Sequence, residues 1–386
     1  MLKEAAVRVI AEQFHRRVLY PLLTSGQAKK DREVAHERIL GLMEKYIENN
    51  QPLRKFLTQC FTYEDPVLEQ EIFGLKFKQP CMVAAGFDKN ARVYQSLTSL
   101  GLPPDIGTIP RWPYAGTPKP RVFMLEGDQG MINRMGYPSD GLHEIEKRLA
   151  KKYTPRNLRD FNIHLNFGVN QPSFDRGAPL FDLALTYNDI YGLGDILTLA
   201  VSPNTPDSLG LLEPENLSEA LERISNIRKS KKEWKPLLLK LIPDLTFAQI
   251  DKILDVALSH GVDGMVLTNT TTDPNTRMLL KGMYKDETGG YSGPYLKSKS
   301  LVAIHYVYTH TEGKFPICAA GGLNTPLDAF EAVVYGGASW LQFYYAVVTR
   351  KTSTPNFSYD MCQSLAKELR THGFKNITEA VGAYAK

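Results

Sequence analysis

The sequence predicts an α/β protein, a (β/α)8 TIM barrel carrying a small N-terminal helical domain. From Gln70 onward, short apolar or β-branched runs alternate with helical patterns as far as the C-terminus, the order that builds parallel βαβ units. The 386 residues suit one barrel of roughly 250 residues with insertions. The first run is followed by AAGFDKN, whereas an open doubly wound sheet would place a Gly-x-Gly-x-x-Gly turn there.

Taken in order, residues 1–65 read as helical and strand-poor, a helical domain ahead of a barrel spanning 66–386. In the first segment the apolar positions Val7, Ile10, Phe14, Val18 and Leu19 recur at three-to-four spacing. Two readings stay open for it. It is a helix packed on its own domain, or a basic amphipathic helix on a membrane surface with Arg8, Arg16 and Arg17 towards lipid headgroups. A second periodic stretch runs Arg32–Asn50, and a third short helix is expected over Leu53–Phe61. Strands are expected at Pro80–Phe87, Asp105–Pro110, Asn162–Asn170, Asp195–Pro203, Pro236–Pro243, Gly264–Asn269, Phe315–Gly321 and Ser339–Tyr345. Helical patterns lie between most of them, among them Leu217–Ser230, Phe247–His260 and Pro326–Tyr335, and Tyr359–Thr371 follows the last.

Composition removes several classes of function. A hydrophobic fraction of 43% excludes a disordered chain, and 29 glycines are too few for a collagen-like repeat. A net charge of +4 is too mild for a nucleic-acid binder. Cys60, Cys81, Cys318 and Cys362 lie far apart without a C-x-x-C pair, which argues against a disulfide scaffold or cysteine zinc site and suits a reducing compartment. No run approaches the roughly 20 apolar residues of a spanning helix. The segment MLKEAAVRVIAEQFHRRVLYPLL is broken by charges every few residues, unlike a signal peptide.

In such a barrel the chemistry sits at the C-terminal strand ends. Those ends read AAGFDKN, GTIPRWPYAGTPKPR with INRMGY, NFGVNQ, SPNTP, LLLKLIPD, TNTT with ETGGYSG, AAGG, and LQFYYA. The set is rich in amides (Asn133, Asn166, Asn204, Asn269), hydroxyls (Thr108, Ser202, Thr268, Thr270) and glycine, with Lys89 and Lys240. It holds no metal-ligand cluster and no nucleophile elbow. Singly, the asparagines and Ser202 read as turn residues. Lys240 stands out because an ammonium inside an apolar strand is costly to bury without a partner. Jointly these groups suit a flat heterocycle rich in carbonyls and N–H groups. Glycines in AAGG and GGAS suit backbone N–H groups cradling a phosphate. Together they are the needs of a flavin mononucleotide (FMN) site.

The ordered segments AAGFDKN, GTPKPRVF, INRMGY, SPNTP, LLLKLIPDLT, TNTT, ETGGYSG, AAGG and GASWLQFYYA, spread from Phe73 to Val348, closely resemble the class 2, quinone-dependent, membrane-associated dihydroorotate dehydrogenases. The resemblance implies FMN as cofactor, oxidation of dihydroorotate to orotate in pyrimidine synthesis, and a membrane quinone as final acceptor. It implies peripheral attachment to an inner membrane, bacterial cytoplasmic or mitochondrial, through the N-terminal helices. By the same resemblance Ala85, Gly86, Lys89 and Thr108 line the flavin, and Lys89 also touches substrate. Asn166, Lys240 and Thr268 contact its ring, while Gly293, Gly322, Tyr344 and Tyr345 contain its phosphate. Asn133, Arg134, Met135, Gly136 and Tyr137 hold the pyrimidine, joined by Asn204, Asn269 and Thr270. Ser202 occupies the catalytic-base position, where serine marks class 2 and cysteine class 1.

The chain also departs from the family pattern. Gly168-Val169-Asn170-Gln171 stands where Gly-Lys-Asn-Lys is usual, and Leu199 where an asparagine precedes the serine by three positions. Tyr345 replaces a threonine or serine, and Met124 an arginine of the quinone region. If Leu199 and Val169 faced a polar ring they would leave its donors unpaired. That motivates a second expectation, a catalytically impaired barrel serving as a structural or interaction subunit.

Overall fold

The computed structural model describes residues 2–29, 31–152, 154–201, 210–349 and 355–385. Eight parallel strands form the barrel wall: β3 (Cys81–Val83), β4 (Asp105–Ile109), β7 (His164–Phe167), β8 (Ile196–Ala200), β9 (Leu237–Leu241), β10 (Gly264–Leu267), β12 (Ile317–Ala320) and β13 (Trp340–Phe343). They neighbour one another in chain order, and β13 pairs with β3. The last seam is closed where Val83 N donates to Pro103 O at 3.0 Å. Each strand lies inside a segment the sequence marks out.

Side-chain parity along these strands is the organising feature. In the register Phe167↔Leu199↔Leu239, the side chains share one large core with Leu165, Leu197, Val201, Leu237 and Leu241 and with helix residues such as Leu217 and Ile253. The opposite parity points inside the barrel. There Met82, Ile196, Leu238, Val266, Cys318 and Trp340 form a second core with Ile72, Leu75 and Phe77. Those last three belong to a hairpin, β1 (Gln70–Ile72) and β2 (Leu75–Phe77), that plugs the N-terminal end. The hairpin is missing from the sequence reading because its strands are only three residues long. Its turn puts Phe73 (φ 57°) and Gly74 (φ 69°) in the left-handed region, the geometry of a two-residue hairpin loop.

A further antiparallel sheet also goes unread in the sequence: β5 (Val122–Met124), β6 (Met131–Asn133) and β11 (Gly290–Ser292). Helices match their patterns: those starting at Arg32, Phe247 and Pro326 begin where expected, and three others begin two or three residues early. The expected Leu217–Ser230 is Pro214–Lys229, with Pro214 in the first turn, where its fixed φ costs nothing. Pro326–Glu331 continues through Gly336 as a wider turn.

The N-terminal part comprises helices Leu2–Phe14, Arg32–Met43 and Gln51–Phe61 joined by tighter and wider turns. Its acidic residues dock it on the barrel. Glu33 bonds Arg121 at 2.7 Å, Glu37 and Glu44 each bond Arg92 at 2.8 Å, and Glu48 bonds Lys152 at 2.8 Å. Glu48 is fully buried and also accepts from Ser96 N and Oγ at 2.8 and 2.7 Å. Removing one member of such a pair leaves a buried charge uncompensated. Glu48→Ala is therefore expected to cost about 3 kcal/mol or more, read as a lowered Tm and midpoint in denaturant unfolding.

Candidate functional site

A cavity opens at the C-terminal ends of the strands, and it gathers most of the residues the sequence singles out. Ala85, Gly86, Lys89, Thr108, Asn133, Met135, Gly136, Tyr137, Asn166, Lys240, Thr268, Asn269, Thr270, Gly293, Gly322, Tyr344 and Tyr345 all line it. Arg134 does not. Its guanidinium pairs with Glu287 at 2.7 Å and lies over the Phe123 ring at 4.6 Å. Ser202 and Asn204 lie outside the described residues.

The floor of the cavity is a polar network held by barrel strands. Thr108 Oγ1 donates to Asn166 Oδ1 at 2.8 Å, and Lys240 Nζ donates to Gln342 Oε1 at 3.3 Å. Asn166 Nδ2 and Gln342 Nε2 both reach Asp105 Oδ2, at 3.3 and 3.1 Å. Burial pulls the Lys240 pKa down from the usual lysine value, and the Asp105 carboxylate opposes that shift. On the opposite wall Lys89 Nζ donates to Gly86 O at 2.6 Å. Burial also lowers its pKa, against the pull of Glu33 and Glu37. Asn269 is oriented by Thr270 N, which donates to its Oδ1 at 2.8 Å, and Thr268 Oγ1 lies 2.8 Å from Ser300 Oγ.

One rim of the cavity is backbone. Gly293, Gly321 and Gly322 line it beside the start of helix Lys297–His310. A Cβ on Gly322 (φ +77°) would lie 2.2 Å from Lys297 N, and one on Gly321 (φ +89°) 2.7 Å from Ser300 Oγ. Only glycine fits there, and a helix N-terminus with exposed N–H groups favours an anion. The GGAS glycines are a correction. Gly336 and Gly337 precede β13 at the other end of the barrel, where a Cβ on Gly337 would strike the Tyr308 ring at 2.2 Å. A glycine phosphate cup on one side and amides, hydroxyls and a buried lysine on the floor fit FMN.

The two departures that cast doubt on the site lie outside it. Leu199 is buried in the strand–helix core with the parity of Phe167 and Leu239, and Val169 joins the same core. The side chain that β8 turns into the cavity is Ala200. Counting back from Ser202 puts Leu199 at the family's asparagine position, but β8 faces the cavity one residue later. The expectation of an apolar leucine against a polar ring is thus overturned, and with it the basis of the impaired-barrel reading. Asp105 and Gln342 went unnoticed, although an acid opening an apolar strand is the same signal that marks Lys240.

A second cavity, about 740 Å³, lies between the N-terminal helices and the barrel. It is mostly apolar, lined by Phe14, Leu19, Ala35, Ile39, Met43, Phe61 and Met124 among others, and it shares Lys89, Val122, Met131, Met135 and Tyr344 with the first. His36 faces it, with Nε2 2.8 Å from Phe87 O and its ring edge-on to Phe87 at 4.8 Å. Burial, helped by the Lys89 charge, pushes its pKa down to about 3, so His36 is neutral at physiological pH. The first helix also corrects an expectation. Arg8 points inward, donating to Cys60 O at 2.7 Å and lying 3.7 Å over the Tyr359 ring. Ile10, Phe14, Val18 and Leu22 are exposed, as are Arg16 and Arg17.

Parity gives a direct check. Leu199→Asn buries an amide in an apolar core and is expected to cost about 3 kcal/mol or more, with flavin binding retained in the protein that folds. Ala200→Asn puts the amide in the cavity and is expected to change ligand affinity with a smaller loss of stability. Thermal melts and flavin titration separate the two.

The dihydroorotate dehydrogenase family profile matches residues 67–369. The dihydroorotate dehydrogenase (quinone) of Gloeobacter violaceus is 34% identical over 94% of this chain and 98% of its own. That of Parvibaculum lavamentivorans is 33% identical over 95% and 98%. Among solved structures, DHODH from Eimeria tenella in complex with ferulenol superposes with a TM-score of 0.81 at 30% identity, covering 91% of this chain and 95% of that one. Among the described residues no helix is long and apolar enough to cross a membrane, and no cluster suits a metal ion. A barrel with a polar, glycine-rimmed cavity joined to an apolar one under N-terminal helices, and relatives matched over nearly their whole length, make this chain a member of the quinone-dependent dihydroorotate dehydrogenase family.

Proposed function

We propose that this protein oxidises (S)-dihydroorotate to orotate in UMP synthesis, with FMN as cofactor and a membrane quinone as final acceptor. The observation that carries the reading is the shared wall of the two cavities. Lys89, Met131, Met135 and Tyr344 line both the polar and the apolar cavity, so a ring held in the first would be separated from the second only by these side chains.

Ala85, Gly86, Thr108, Asn166, Lys240 and Thr268 would hold the flavin ring, and Gly293, Gly322, Tyr344 and Tyr345 its phosphate end. Asn133, Met135, Gly136, Tyr137, Asn269 and Thr270, with Lys89 and Asn204, would bind the pyrimidine and its carboxylate. The Arg134 side chain is engaged by Glu287, so its part there falls to its backbone. Ser202 would take the proton from one ring carbon and pass it on through hydrogen bonds, since a hydroxyl alone is a weak base. When bound, FMN supplies the acceptor for the hydride of the neighbouring carbon and returns two electrons to the quinone. Lys240 would present its ammonium to a bound ring, a charge suited to stabilising negative charge there. The exposed stripe of Ile10, Phe14, Val18 and Leu22, flanked by Arg16 and Arg17, supports peripheral attachment to an inner membrane near the mouth of the apolar cavity.

The test is an absorption spectrum of the purified protein. Yellow flavin that bleaches with anaerobic dihydroorotate and recovers on adding a quinone is expected; absence of flavin, or no bleaching, defeats the proposal. Ser202→Ala is expected to keep its flavin while stopped-flow reduction by dihydroorotate slows by about 10²–10⁴-fold. Ala35→Trp narrows the apolar cavity, which Ala35 lines. It is expected to raise KM for a long-chain quinone and leave flavin reduction by dihydroorotate unchanged.

A further inference from the structure

One buried carboxyl group touches neither the polar cavity nor the apolar one. Asp105 opens β4 with its side chain inside the barrel, fully buried below the polar cavity, and it does not line that cavity. Its Oδ2 accepts from Asn166 Nδ2 and from Gln342 Nε2. Burial raises the Asp105 pKa, and the Lys240 charge and the two N–H bonds from Gln342 and Asn166 pull it back towards the ionised form; an ionised carboxylate can only accept. The Gln342 amide must therefore turn its NH₂ to Asp105 and its carbonyl oxygen the other way. That oxygen is the hydrogen-bond acceptor found for Lys240 Nζ, at 3.3 Å.

The relay places a negative charge one amide away from a positive one inside a closed barrel. An ammonium buried alone loses its proton easily, while a nearby anion opposes that loss. Two titratable groups act on Lys240: Asp105 from β4 and Cys318 from β12. Burial holds the Cys318 thiol protonated, so Asp105 is the counter-charge. We propose that Asp105 is a positioning residue which, through Gln342, keeps Lys240 as an oriented ammonium at the cavity floor, where the flavin ring is bound. The assignment rests on the FMN reading given above and concerns how the floor of that site is kept charged.

FMN titration of apoprotein, across pH 6 to 9, tests it without any turnover. Wild type is expected to bind FMN with little dependence on pH. Asp105→Asn keeps an oxygen for both amides and removes only the charge. Lys240 then loses its proton at lower pH, and affinity is expected to fall on the alkaline side by about tenfold or more. Asp105→Glu, which keeps the charge, is expected to restore the flat profile. In Asp105→Asn/Lys240→Met the alkaline loss should vanish and affinity should match Lys240→Met alone. That comparison also serves if Asp105→Asn by itself does not fold, because the double variant buries neither charge. A flat profile for Asp105→Asn, or a double variant weaker than Lys240→Met by tenfold, overturns the assignment. Failure of wild-type apoprotein to take up FMN would instead defeat the flavin reading itself.

Discussion

A closed parallel barrel has two buried faces, and the parity of each residue along its strand decides which one it meets. Everything about this site depends on that constraint. In β7, β8 and β9 the leucines at one parity seal the wall against the helices, which frees the other parity for Asn166, Ala200 and Lys240. A slip of one residue in β7 or β9 would exchange Phe167 or a leucine for Asn166 or Lys240 across the wall. The cost of burying those polar groups in the apolar layer is thus also what fixes the register of the site.

The same alternation operates on a smaller scale in the three-stranded sheet over the barrel mouth. The middle row, Phe123, Ile132 and Tyr291, forms its own small core with Leu125, Leu280 and Leu296. The flanking rows turn the other way, placing Val122, Met131, Asn133 and Ser292 on the polar cavity and Val122, Met124 and Met131 on the apolar one. Three-residue strands are marginal alone. Here pairing and a private core make them a rigid partition, apolar towards the helices and amide-bearing towards the substrate side.

Much of this was legible in the sequence, for identifiable reasons. Buried parallel strands read as apolar runs, so every barrel strand falls inside a segment the sequence marks out, though several of those segments run up to five residues too long. Short β1, β2, β5, β6 and β11 were not legible, because three residues carry no period and their loops are crowded with glycine and proline. Lys240 was legible because its charge clashes with its surroundings. Asp105 carries the same clash, but at a strand's first residue it passes for a cap. Leu199 shows the limit of matching by position. Distance along the chain from Ser202 is not orientation, and only the register with Phe167 and Leu239 reveals which way the side chain points. Of the two readings open for the first helix, the one that turns Arg8 to lipid infers exposure from charge, whereas its guanidinium is held by Cys60 O and the Tyr359 ring.

Electrostatics connects the helical part to the chemistry. Glu33, Glu37, Glu44 and Glu48 recur along one helical stretch at spacings that keep them on one side, and Arg121, Arg92 and Lys152 of the barrel meet them. Arg121 is itself buried and donates onward to Ala115 O and Thr117 O at 2.6 and 2.9 Å, in the loop that leads to the partition sheet. Glu33 and Glu37 also act on Lys89, opposing the loss of its proton on burial. The helices that roof the apolar cavity therefore supply counter-charge to a lysine of the polar one. Docking of that roof and the charge state at the shared wall are two consequences of one acidic stripe, and neither cavity is electrostatically complete without it.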